Sequence, residues 1–147
     1  MPMKLGSLTD IHEHVEHLRT ALDRFQRERV DQIVMIGDVC EAGQRIDETC
    51  RLLTEAKVVG VWGNHDFGLC VEPHESTLAK YPASVMNFMA TLRPRLEIEN
   101  CHFMHVEPWV NPEDLAALWN FEGPPDRTER LERIFSSVPH RFMFAGH

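Results

Sequence analysis

Residues 33–43 read IVMIGDVCEAG, and residues 58–69 read VVGVWGNHDFGL. Each begins as a short apolar run and breaks at a glycine followed at once by polar donors: Gly37-Asp38 in the first, Gly63-Asn64-His65-Asp66 in the second. A short run of Val, Ile and Met with no polar alternation is the pattern of a parallel strand buried on both faces. Val30 to Ile36 and Val58 to Trp62 are therefore predicted strands, each delivering its polar group from a strand end. Upstream, Lys4 to Leu8 reads as a strand that leads into a loop from Thr9 to His14 carrying Asp10-Ile11-His12. Val15 to Arg29 has apolar residues at Val15, Leu18, Leu22 and Phe25, which is helical spacing with charge on the other face. Ile46 to Glu55 reads as a second helix. Strand, helix, strand, helix, strand implies right-handed crossovers and a parallel sheet.

Beyond Leu69 the periodicity is looser. Glu72 to Arg93 reads as mostly helical with a break at Pro82. Leu96 to Ile98 and Cys101 to Val106 read as two strands around Asn100, a hairpin. Asn111-Pro112-Glu113 opens a short helix through Trp119, with Asn111 as N-cap and Pro112 in the first turn. Gly123-Pro124-Pro125 reads as a loop. Asp126 caps a helix through Ser136, and Arg141 to Ala145 is a final strand before Gly146-His147.

Carboxylate, imidazole and amide oxygen are donors for divalent cations of intermediate hardness. Brought from several strand ends to one sheet edge, they suit a two-metal phosphoryl-transfer site. Taken singly, each has an ordinary explanation. Asp38 alone reads as a turn residue, Asn64 as a residue tolerant of left-handed backbone, and Glu41 as a solvated loop carboxylate. His105 reads as a hydrogen-bonded structural histidine, and His102 would point to the opposite face of the same strand. His12-Glu13 begins like a zinc-protease helix, H-E-x-x-H, but Glu16 stands where the second His should be. His14 and His17 read as solvent-facing.

In order, D-x-H at Asp10, G-D at Gly37, G-N-H-D at Gly63, the lone His105 and the final Gly146-His147 resemble the calcineurin-like metallophosphoesterase family. The stretch from Ile33 to Leu69 most resembles its small bacterial-type members. The resemblance covers Asp10 to His147, and it implies an α/β fold: a β-sandwich flanked by helices. It implies two divalent ions, of manganese, iron or zinc. Asp10, His12 and Asp38 would hold the first, and Asn64, His105 and His147 the second, with Asp38 bridging. A metal-bound hydroxide would be the nucleophile. His65, not a ligand in the family, would be general acid, oriented by Glu41 or, less favourably, by Asp66. The chain departs from the family pattern in three places: Val106 follows His105 instead of Gly, Glu13 follows His12 instead of Gly, and the last His of G-H-x-H is absent. The absent last His leads to the expectation of a C-terminally incomplete domain whose first metal is held more weakly. Ala42 stands where the phosphoprotein phosphatases carry a phosphate-holding Arg, which argues against a Ser/Thr protein phosphatase.

Composition bounds the rest. At 147 residues the chain has room for one core. A net charge of −8 disfavours a nucleic-acid partner, but leaves a small phosphate ester open, because bound cations dominate the local field. No apolar run spans a bilayer, and no signal peptide is read at Met1 to Gly6. The four cysteines (Cys40, Cys50, Cys70, Cys101) form no C-x-x-C pair, which reads as reduced thiols in a cytoplasm. Cys40 reads as a small buried apolar residue. Trp109, Trp119 and Phe121 read as core packing in preference to a cleft or subunit contact. The expectation is a phosphate-ester hydrolase, against the alternative of a non-catalytic scaffold of the same fold. Mono- or diester preference and oligomeric state are left open.

Overall fold

The computed structural model describes residues 2–119 and 128–147. Its elements in chain order are β1 (Leu5–Leu8), α1 (Val15–Arg27), β2 (Gln32–Ile36), α2 (Ile46–Glu55), β3 (Val59–Val61), α3 (Phe67–Cys70), α4 (Glu75–Lys80), α5 (Ala83–Met89), β4 (Leu96–Ile98), β5 (Cys101–Phe103), α6 (Leu115–Leu118), α7 (Thr128–Ser136) and β6 (Phe142–Phe144).

The first half follows the periodicity closely. β1, β2 and β3 form a parallel sheet in that order, with Leu5 opposite Gln32 and Val34 opposite Val59. Both crossovers are helical. α1 buries Val15 and Leu18, while α2 buries Ile46, Thr49, Cys50, Leu52 and Leu53. Both helices are followed by a left-handed residue, Arg29 after α1 and Lys57 after α2, each at φ 52°. The N–H of each closes onto the last turn, a C-terminal stop that glycine usually supplies.

The second sheet has the order β4-β5-β6. β4 and β5 form the expected hairpin, antiparallel with Ile98 opposite Cys101, and β6 joins β5 in parallel. Between the sheets lie Val34, Ile36, Val61 and Phe103, flanked by Leu5, Leu96, Ile98 and Cys101. A larger core fills the other face of the first sheet, where Met35, Leu53, Val85, Phe88 and Met89 pack with α1, α2 and α5. The result is the mixed α/β two-sheet architecture expected, with helices outside.

The expected break at Pro82 is present, and one local expectation is corrected. Pro82 splits residues 72–93 into two short helices, α4 and α5, since proline lacks the N–H an uninterrupted helix requires. The N-cap of α6 is Asp114, whose Oδ1 accepts from the N–H groups of Ala116 and Ala117 at 2.9 and 3.3 Å. Asn111 instead accepts from Glu113 N–H in a turn upstream; an Asx turn competes with a helical cap for the same side chain. The expected cap Asp126, the Gly123-Pro124-Pro125 loop and Phe121 lie outside the described residues. Among the described residues no helix is long and apolar enough to cross a membrane.

Candidate metal centre

The loops leaving β1 and β2 run side by side. Asp10 N–H donates to Gly37 O at 3.1 Å, His12 N–H to Asp38 O at 3.0 Å, and Glu13 N–H to Val39 O at 3.1 Å. This ladder sets Asp10 and His12 against Asp38. The backbone is unusual throughout: Asp10, His12, Glu13 and Asp38 all have positive φ, between 46° and 58°. Left-handed backbone costs a non-glycine residue about 1 kcal/mol or more, so four of them within two short loops mark a stretch whose shape is held by its surroundings. The two glycines before the donors are required by space. A Cβ at Gly37 would strike the His105 ring and the Gly63 backbone, and one at Gly63 would strike the Asp38 carboxylate.

Six expected ligands converge. Potential donor atoms of Asp10, His12 and Asp38 lie within 4.8 Å of one another, as do those of Asp38, His105 and His147, so Asp38 belongs to both groups. Asn64 Oδ1 is 3.1 Å from His105 Nε2 and 3.1 Å from His147 Nδ1. His147 arrives because β6 pairs with β5. Gly146 N–H donates to His105 O, and His147 N–H donates to Asp10 Oδ2 at 3.0 Å.

Whether cations fit this arrangement is decided by the histidine nitrogens. His105 is completely buried, and its Nδ1 sits 2.9 Å from Ile36 O, an acceptor. Nδ1 therefore carries the proton, and Nε2 of the neutral ring is a lone pair. That lone pair faces Asp38 Oδ2 at 3.4 Å, Asn64 Oδ1 and His147 Nδ1 at 3.3 Å. His12 repeats the pattern: Nδ1 lies 2.8 Å from Glu41 Oε2, and Nε2 faces Asp10 Oδ1 and Asp38 Oδ2, both at 3.7 Å. Acceptors gathered against acceptors are satisfied by a shared proton or by a cation, and mixed N/O sets of this kind suit divalent metals. Fixing the far ring nitrogen with a carbonyl or carboxylate is also how metal-binding histidines are held.

The proton linkage points the same way. Burial acts to raise the Asp38 carboxyl, but the hydrogen bond and charge of His105 and the His65 N–H outweigh it, and the net direction is down. Burial acts to lower His105, but Asp38 reverses it and the net direction is up.

His65 stands beside the first group. Its N–H donates to Asp38 Oδ1 at 3.1 Å, its ring meets the His12 ring edge-on with centroids 4.8 Å apart, and its Nδ1 is 3.5 Å from Glu41 Oε2. Glu41 thus touches both imidazoles, and its closer contact is His12. Asp66 does not orient His65, contrary to the second expectation. It is fully buried and its carboxylate accepts from Val39 N, Cys40 N and Gly63 N at 2.9, 2.9 and 3.0 Å. It ties the β3 loop to the β2 loop. Burial pushes it up to about 6 in spite of the Cys40 and Gly63 N–H donors.

His102 is buried on the far side, its ring 5.7 Å from that of His140, and does not join the centre. His14 and His17 are exposed and stack on each other. Cys40 is buried with its Sγ donating to Glu13 Oε1 at 3.6 Å, and burial lifts its thiol to about 12. Trp109 is partly buried under the Arg133 guanidinium, 4.3 Å from the ring centroid. Trp119 overturns the core-packing expectation: it is 57% exposed, with its ring 5.7 Å from that of His65.

One participant was missed from sequence. Glu13 is 8% exposed, and its carboxylate accepts from the N–H groups of Glu41, Gly43 and Arg45 at 2.8, 2.6 and 2.7 Å. Burial acts to raise this carboxyl, but the Arg45, Glu41 and Gly43 donors bring it below its ordinary value. Glu13 fastens the loop on which Glu41 rides. The signal in the sequence was the departure itself, a Glu where the family pattern has Gly, at a position whose φ is 58°.

Residues 3–147 match the model of the calcineurin-like phosphoesterase superfamily domain. An uncharacterized protein of Methanocaldococcus jannaschii, MJ0912, is 24% identical over 111 residues, covering 76% of this chain and 44% of that protein. The crystal structure of a metallophosphoesterase from Sphaerobacter thermophilus superposes with a TM-score of 0.73 at 21% identity, covering all of this chain and 61% of that one. The chain therefore spans less than half the length of the first relative and about three-fifths of the second.

Proposed function

We propose that this chain, which belongs to the calcineurin-like phosphoesterase superfamily, carries the catalytic core of a metal-dependent hydrolase of phosphate esters with a dinuclear centre. The observation that carries the reading is the pair of histidines His12 and His105. Each has Nδ1 tied to an oxygen acceptor and Nε2 aimed at Asp38.

Asp10, His12 and Asp38 would hold one cation, and Asp38, Asn64, His105 and His147 the other. Bound there, divalent cations would supply Lewis-acid neutralisation of the phosphate and an acidified water. The chain's own residues do the rest. Asp38 sets the register between the two groups, and its Oδ1 fixes the backbone of His65. His65 keeps one nitrogen toward Glu41, leaving the other to hold a proton for the departing ester oxygen. Glu41 restrains both His12 and His65. Manganese, iron and zinc all suit these donors. A small phosphate ester is the substrate class we favour over nucleic acid, on the net charge of −8. Among the described residues the four cysteines are free, which supports a reducing, cytoplasmic location.

The test is manganese-dependent hydrolysis of a chromogenic phosphomonoester and a phosphodiester by the chain and by His65→Ala. We expect turnover that a chelator abolishes and that falls 10²- to 10⁴-fold in the variant, roughly the worth of a general acid. Folded, metal-loaded protein that turns over neither ester would overturn the reading in favour of a non-catalytic scaffold.

A further inference from the structure

Tryptophan seldom stays in water, because its ring carries one of the largest apolar surfaces of any side chain. Trp119 keeps 57% of its surface exposed while its neighbour Leu118 is 1% exposed. The residues just before it are anchored. Leu118 is sunk in the core, Asp114 caps α6, and the Trp62 indole N–H holds Pro112 O at 3.2 Å. The exposed ring is also placed with respect to the centre. The His65 ring meets both the His12 ring and the Trp119 ring, at centroid distances of 4.8 and 5.7 Å, and Trp119 is the most exposed of the three. His12 is a candidate ligand, and His65 stands where a leaving oxygen would be protonated. An organic group on that oxygen, extended a few ångströms toward the indole, would meet it.

We propose that Trp119 is a stacking platform for the organic group of the ester, and that the preferred substrates carry a flat aromatic or heteroaromatic ring such as a nucleobase. The proposal rests on the phosphate-ester reading above. A planar ring suits this position better than a sugar or an alkyl chain, because an indole face gains most from an opposed π-face. The mixed surroundings also fit, since small-molecule sites combine an aromatic wall with a few convergent polar groups.

The test compares two ligands that differ only in the base: adenosine 5′-monophosphate and ribose 5-phosphate. Each is titrated calorimetrically into the manganese-loaded chain and into W119A and W119F. Removing an aromatic platform weakens a stacked base by roughly five- to hundredfold. We expect the nucleotide to bind more tightly than the sugar phosphate by a factor in that range. W119A should bring the nucleotide down to the sugar phosphate, leaving the latter with wild type, and W119F should keep most of the preference. Equal affinity of the two ligands for wild type would overturn the proposal, as would equal weakening of both in a W119A whose circular dichroism is unchanged. Failure of either phosphate to bind the metal-loaded chain would overturn the phosphate-ester reading, and this proposal with it.

Discussion

Replacing Glu13 should expose how much of the centre depends on one buried carboxylate. Its oxygens accept three backbone N–H bonds of 2.6 to 2.8 Å from the loop between β2 and α2. Hydrogen bonds to a charged group contribute roughly 1.5–3 kcal/mol each. Three lost in place would total on the order of 6 kcal/mol. The loop is not confined, however: Glu41, Gln44 and Arg45 are exposed, so the freed donors can turn to water. The expected loss for Glu13→Ala is therefore about 3 kcal/mol, a large share of the ~5–15 kcal/mol that holds a domain together. Because φ at Glu13 is 58°, glycine should be better tolerated than alanine by about 1 kcal/mol, the reverse of the usual order. Urea unfolding followed by circular dichroism would give the energies. Amide hydrogen exchange would report on Glu41, Gly43 and Arg45 directly, with protection at all three falling in the variants. A Glu13→Ala protein within about 0.5 kcal/mol of wild type, or one with those amides still protected, would show that the carboxylate is not the clamp. Equal stability of the alanine and glycine variants would refute the backbone part of the reasoning alone.

Other expectations follow from neighbouring features. Glu41→Ala removes the nearer acceptor on His12 Nδ1, leaving only Cys40 O at 3.4 Å, and should weaken metal at the Asp10–His12–Asp38 set by roughly 10- to 100-fold, leaving the Asn64–His105–His147 set unchanged; calorimetric titration with manganese separates the two. Gly63→Ala drives a Cβ into the Asp38 carboxylate and backbone and should cost about 1–3 kcal/mol, visible as a lower urea midpoint; a neutral result would mean the two loops can part freely. His102 is held below its ordinary value, by burial and then by His140. Its contribution is thus present above the unfolded value near 6.5 and lost as pH falls through the folded one. Unfolding midpoints should drop on acidification through this window, and the drop should be smaller in His102→Asn. Identical slopes in the two proteins would assign the acid sensitivity elsewhere.

What could be read from the residues was whatever is local in the chain. The apolar runs before Gly37 and Gly63, and the helical spacing of Val15 to Phe25, carry their structure in their own periodicity. The first sheet follows from them. The candidate ligands were legible because each rides just beyond a strand end, where direction is set by the strand. Glu13 and Asp66 were not legible, because all of Glu13's backbone N–H partners and two of Asp66's three lie 26 to 32 residues away, and no side-chain pattern records where a loop's amides will point. Trp119 escaped for a related reason. Its aromatic character argued for burial, and only the fold brings its ring beside that of His65. Asp114 outcompeted Asn111 as a cap by a three-residue offset that composition does not resolve.

The pairing of β6 with β5 gives the centre a timetable. Asp10, His12, Asp38 and Asn64 leave the ribosome early, and the parallel sheet that carries them is built from neighbouring segments. His105 follows Asn64 by 41 residues, and His147 by 83. The contact between His147 N–H and Asp10 spans 137 residues, and contacts of such separation form late, because the chain entropy of closing them is met only at the end. A nascent chain therefore offers a three-donor group well before the second group exists. A cation taken up early would wait in a half-built cradle, and the arrival of β6 would complete the second group beside it.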